Sequence, residues 1–241
     1  NKVPLAVVKN PTNDLFSLRY ILDMGTDHDK ELGVAVRYLE YLGTSKYDPT
    51  AFKQELFKLG LGISVYVAED RSYVTLTGLE KNLERGIELL EQLLADAQPN
   101  DEALKGLVAD IGKSRQDQAK NKNSIFYEGL ASYAKFGKVN AFNDVMPLAR
   151  LEALTSAEML ERIHQLTSYK HNVFYYGKKS TDEVTALLNK HHKTPANLLE
   201  YPPERLYPEL ATTENKVYFA YEDMVLGEMS FYGKAGQLAV S

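Results

Sequence analysis

Between Leu15 and Asp23 the side chains alternate: Phe16, Leu18, Tyr20 and Leu22 are interleaved with Ser17, Arg19 and Ile21. Successive side chains of a strand point to opposite faces, so the segment predicts a β-strand with one strongly apolar face. A sheet built on such a strand needs cover on that side alone. The chain has 241 residues and is 44% hydrophobic, enough to build the cover and one good core. A 25% share of charged residues places it outside the disordered class.

The cover is written along the rest of the chain. Val3–Val8 reads as a strand joined to the first by the turn Asn10-Pro-Thr-Asn-Asp14, and Pro4 suits an edge or a strand start. A helix is expected over about 29–42, with Leu32, Ala35, Val36, Leu39 and Leu42 on one stripe. Asp48-Pro49 opens the next, with Asp as N-cap and Pro at the first helical position. Ile63–Val67 and Ser72–Thr77 form a hairpin around Glu69-Asp70-Arg71. Leu79, Leu83, Ile87, Leu90 and Leu94 mark a long helix, followed by helices over 101–118 and about 124–136. Thr155-Ser-Ala-Glu158 and Ser180-Thr-Asp-Glu183 both have capping-box spacing, and the strand Asn172–Tyr176 lies between their helices.

Hairpin-like strand pairs among six or seven helices favour an α+β fold, a mainly antiparallel sheet with helices packed on one face. A doubly wound parallel sheet would need regular strand–helix alternation, which is absent. The domain occupies residues 1–195. Residues 196–215, with Pro202, Pro203 and Pro208 among polar residues, read as a linker. Lys216–Tyr221 and Met229–Gly233 repeat the pattern of the opening strand pair, so 216–241 reads as the start of a second, truncated copy. The absence of an initiator Met fits a piece of a longer protein.

Several function classes are excluded. A net charge of −5 argues against a nucleic-acid surface, which would be basic. No apolar run reaches the roughly 18 residues of a membrane span. With no cysteine there is neither a disulfide nor a thiolate metal site. No phosphate-cradling loop or GxSxG elbow occurs.

Gly43-Thr44-Ser-Lys-Tyr47, then Phe52, Leu56 and Leu59-Gly60, then Tyr73 and Gly78-Leu79, together resemble the insulinase/pitrilysin zinc peptidases. His171-Asn-Val-Phe-Tyr-Tyr-Gly177, followed by an acidic-capped helix, is similar to that family's domain end, so the resemblance spans most of residues 3–192. It implies the LuxS/MPP-like metallopeptidase fold. Active members hold zinc through an inverted HxxEH motif and a downstream acid, with the Glu activating the bound water. Counting back from Gly43-Thr44, the motif positions fall on Val34, Arg37 and Tyr38, close to one helix face, and the downstream acid near Asp110. Neither histidine is there, and Arg37 stands in for the Glu. The resemblance therefore implies a non-catalytic half-domain, with no metal or cofactor of its own, that encloses and positions a peptide substrate. Zinc would sit in a catalytic half, in the same chain or in a partner subunit.

The same comparison implies the third of four domains, with the fourth starting at Lys216 and its substrate-facing Arg and Tyr beyond Ser241. Periplasmic export is common in bacterial relatives of this type. The sheet edge could add strand hydrogen bonds to an extended peptide. The rival reading is a non-enzymatic peptide-binding or scaffold subunit whose zinc-bearing partner is a separate chain. An independent hydrolase working through Asp110 is the third and weakest. His28, His164, His171, His191 and His192 lack metal-pair spacing and are expected to be structural, with His191-His192 favoured at a helix C-terminus by the macrodipole.

Overall fold

The structure, a computed structural model, describes residues 3–211, 213–221 and 227–233. It divides into two compact units, residues 1–111 with 146–205, and residues 112–145 with 206–241.

The first unit is built on a five-stranded sheet. Its strands are β1 (Leu5–Lys9), β2 (Leu15–Leu22), β3 (Leu61–Val67), β4 (Ser72–Leu79) and β5 (Asn172–Gly177), in the order β1-β5-β2-β4-β3. Three of the four pairings are antiparallel, and β1 runs parallel to β5. The α+β expectation holds, as does the β3–β4 hairpin. The opening strands are not a hairpin. β5 inserts between them, Leu5 pairing with Val173 and Leu18 with Tyr175. Pro4 accordingly precedes an edge strand, where its missing donor costs nothing.

Phe16, Leu18, Tyr20 and Leu22 are all at most 2% exposed, so the alternation in β2 sorts its faces as expected. Val74 and Leu76 of β4 and Val173 and Tyr175 of β5 share the buried face. Over it lie α1 (Leu32–Tyr38), α2 (Pro49–Lys58), α3 (Leu83–Asp96), the first part of α4 (Asp101–Gln118), α6 (Leu148–Glu152), α7 (Ser156–Gln165) and α8 (Thr181–His191). The first helix is shorter than expected, passing into a 3-10 turn at Leu39–Tyr41. Leu79 ends β4 rather than opening α3, and a 3-10 turn over Glu80–Asn82 separates the two. Asp48 caps α2 by accepting the Ala51 N–H at 2.8 Å. Both capping boxes form, Thr155 with Glu158 and Ser180 with Glu183.

In the second unit a π-helical turn, Ser124–Leu130, runs into α5 (Ala131–Phe136), where a single helix over 124–136 is expected. Gly137, at φ 79°, ends α5 in a conformation that favours glycine. Buried Asn140 donates to the Gly137 carbonyl at 2.6 Å and accepts the Asn143 N–H at 3.1 Å, holding the turn. Lys216–Tyr221 and Met229–Gly233, expected as strands, carry no regular structure among the described residues. A strand needs a partner ladder, and neither segment has one among the described residues. Residues 222–226 and 234–241 lie outside the described residues.

Candidate functional site

The positions that the resemblance assigns to the zinc motif lie on α1 and α4. The acidic start of α1 is bound by two arginines. The Glu31 carboxylate accepts from Arg150 of α6 at 2.7 Å and pairs with the Arg162 guanidinium of α7 at 2.5 Å, and Asp29 accepts from Arg162 at 2.9 Å. Arg150 also holds Glu158 at 2.7 Å, and its hydrogen bond, with that of Thr155, pulls the Glu158 carboxyl down to about 2.

Val34 and Tyr38, four residues apart on α1, both turn inward, at 4% and 0% exposure. The Tyr38 hydroxyl accepts the Asn100 N–H at 2.7 Å and lies 3.0 Å from the Ser156 hydroxyl. Ser156 in turn donates to Asp101 at 2.5 Å. Tyr38 thus joins α1 to the start of α4 and the start of α7. Arg37 is exposed, as is Asp110 on the outer side of α4. The four positions are therefore divided between core and surface. They do not fit zinc: valine offers no ligand atom, the tyrosine oxygen is committed to two partners, and a guanidinium repels a dication.

Gly43-Thr44 has a structural use of its own. A Cβ on Gly43 would stand 2.3 Å from the Tyr47 carbonyl oxygen, so only glycine lets the backbone pass. Thr44 then donates to that carbonyl through its N–H at 2.7 Å and bridges to Ala97 at the end of α3.

A buried polar network was not legible in residue spacing. The Tyr20 hydroxyl donates to Glu91 of α3 at 2.6 Å, and Nδ1 of His192 meets the same carboxylate oxygen at 2.8 Å. Nε2 of His192 lies 2.8 Å from Nε2 of His171, whose Nδ1 donates to the Tyr169 carbonyl at 2.7 Å. Burial lowers the basicity of His171, and the neighbouring His192 adds to that. Burial and the Glu91 charge push the Tyr20 phenol up. The two histidines are 21 residues apart and meet only because the end of α8 folds back beside β5. The expectation of a helix C-terminal placement does not describe this arrangement, in which both rings are hydrogen-bonded inside the core.

Glu84, Glu88 and His191 place ligand-type atoms within 4.8 Å of one another. Their charges are already matched: Lys190 binds Glu84 at 2.7 Å and Arg85 binds Glu88 at 3.0 Å. The Glu84 carboxyl is held down by Lys190 first and His191 second. This is an ion-pair cluster joining α3 to α8.

The face of the sheet opposite the helices carries Ser17 and Arg19 of β2 with Thr75 and Thr77 of β4. Its β3 edge is partly engaged, because the Val65 N–H donates to Glu40 at 3.2 Å. An incoming strand would have to displace that contact.

No protein-family model matches the sequence, and no curated protein is similar to it. Solved structures do match. The chain is similar to the ferredoxin protease FusC, solved in complex with Arabidopsis ferredoxin, with a TM-score of 0.68 at 10% identity, covering 85% of this chain and 23% of that one. It is similar to a peptidase M16 inactive domain from Pseudomonas fluorescens, with a TM-score of 0.65 at 15% identity, covering 83% and 52%. The first half of the periplasmic protease PqqL from Escherichia coli gives 0.64 at 18% identity, covering 85% and 46%. The chain thus spans 23% to 52% of the length of these proteins. The insulinase-type resemblance holds in three dimensions, and the chain has the fold of an M16-type peptidase domain.

Proposed function

We propose that this chain is a non-catalytic domain of a zinc metallopeptidase, helping to enclose and position peptide substrates for a catalytic half that carries the metal. The observation that carries the reading is Tyr38. At a position where the resemblance calls for a histidine ligand, a fully buried tyrosine closes a hydrogen-bonded joint among α1, α4 and α7. Likeness to an inactive M16 domain supports the same reading. In this proposal the zinc belongs to the other half, in the same chain or in a partner subunit, and the setting is periplasmic, as for PqqL.

The test is metal analysis of the purified chain after equilibration with zinc, alongside peptide hydrolysis. The expected result is far less than one zinc per chain and no hydrolysis. One zinc per chain that survives Glu84→Gln, together with peptide cleavage, would overturn the assignment.

A further inference from the structure

β2 is the middle strand of the five, so Arg19 stands near the centre of the open face. Across the ladder it is flanked by Phe174 of β5 and by Thr75 of β4, with Ser64 of β3 beyond Thr75. Beside it lies a recess of about 430 Å³, lined by Ser17, Ser64, Thr75, Thr77, Tyr66 and Tyr73 along with Arg19 and Val65. Among the described residues that line it, Arg19 alone is charged. Its guanidinium sits over the Tyr73 ring, 5.3 Å from the centroid, which fixes the head group above the sheet. Its Nε is shielded from solvent and has no hydrogen-bond partner among the described residues. A shielded donor left unsatisfied is unfavourable.

From this we infer that the recess binds the carboxylate side chain of an extended acidic peptide, with Arg19 as its anchor. One fixed cation matches one carboxylate, and the guanidinium fork suits its two oxygens. A phosphate group, at nearly two negative charges, would call for a second cation that the lining does not supply. The volume is within the range of small-ligand pockets and accommodates the acidic side chain with parts of its neighbours. Tyr66 and Tyr73, with ring centroids 5.8 Å apart, offer those neighbours rigid amphipathic surface. The inference rests on the peptide-positioning reading and adds to it a preferred side chain.

The test titrates blocked heptapeptides, acetylated and amidated, into the full chain and follows the Arg19 Nε–H signal by NMR. One peptide has a central Glu, the second a central Gln, and the third is the Gln peptide with a free C-terminal carboxylate. The expected result is at least about tenfold tighter binding of the Glu peptide, which a single charged, shape-matched hydrogen bond readily supplies. Arg19→Gln should erase the preference, and Arg19→Lys should keep part of it. Equal binding of the Glu and Gln peptides, unaffected by Arg19→Gln, would overturn the inference and leave the positioning role standing. If the free C-terminus binds as well as the Glu side chain, or inorganic phosphate binds more tightly than acetate, the side-chain assignment falls. Absence of binding by any peptide would overturn both this inference and the reading beneath it.

Discussion

β2 and the segment Lys216–Tyr221 carry the same kind of instruction and meet different fates. In β2, Phe16, Leu18, Tyr20 and Leu22 alternate and are buried. In the later segment, Val217, Phe219 and Tyr221 have the same two-residue spacing within a continuous apolar run, yet they are 94%, 82% and 79% exposed. The difference lies in the surroundings. β2 is paired on both sides, by β4 and β5, and its apolar face meets helices drawn from residues 32 to 191. Alternation selects which face of a strand is apolar; it does not provide the ladder or the cover that makes a strand.

The comparison can be broken most severely at Leu18. Leu18→Ala, at a site with 0% exposure, should destabilise the chain by about 2–5 kcal/mol, whereas Phe219→Ala should stay within about 0.5 kcal/mol. Urea unfolding followed by circular dichroism reads both. Equal losses would mean that the late segment is as well packed as the sheet. A smaller effect is expected at the helix starts that build the cover. Thr155→Ala and Ser180→Ala each remove a capping box and should cost about 1 kcal/mol by the same assay, while Ser230→Ala in the unstructured stretch should cost nothing measurable.

The mildest test is pH. Burial keeps His171 neutral when an unfolded histidine, near pH 6.5, would already be taking up a proton. Below about pH 6.5 the unfolded state therefore binds more protons than the folded one, and stability declines as pH falls towards the lowered folded value. Above that window the contribution is fully present. Glu91, His192 and Tyr20 face the same network. Urea midpoints measured between pH 7.5 and 5 should show the decline, and His171→Asn should flatten it at some cost in stability. A slope unchanged by that substitution would assign the decline to other groups.

Much of the first unit is legible because its signals are local. The faces of β2, the β3–β4 hairpin, the Asp48 cap and both capping boxes depend on residues a few positions apart. The buried stripe of α3 is legible too, since Leu83, Ile87, Leu90 and Leu94 are all within 3% exposure. What escaped depends on distance. The insertion of β5 between β1 and β2 joins residues more than 150 positions apart, and no turn signal announces it. The His171–His192 contact forms only after α8 has packed against the sheet. Short α6 has too few residues to show a period. The candidate motif positions could be placed on a helix by the resemblance, but periodicity could not tell that Arg37 faces outward while Tyr38 closes a joint. Nor could it find Arg19's role, because a polar residue on the far face of a strand is ordinary until its neighbours across three strands are known.

The buried histidine pair can be followed proton by proton. The Tyr169 carbonyl can only accept, so the proton of His171 resides on Nδ1 and its Nε2 presents a lone pair. The contact between the two Nε2 atoms then takes its hydrogen from His192. His192 has one ring nitrogen left, facing a carboxylate that already receives the Tyr20 hydroxyl. The donors thus run from the end of α8 to the backbone before β5, His192 donating to His171 and His171 to the Tyr169 carbonyl. A wrongly protonated ring would set two hydrogens face to face, so the packing of three elements selects one tautomer at each histidine.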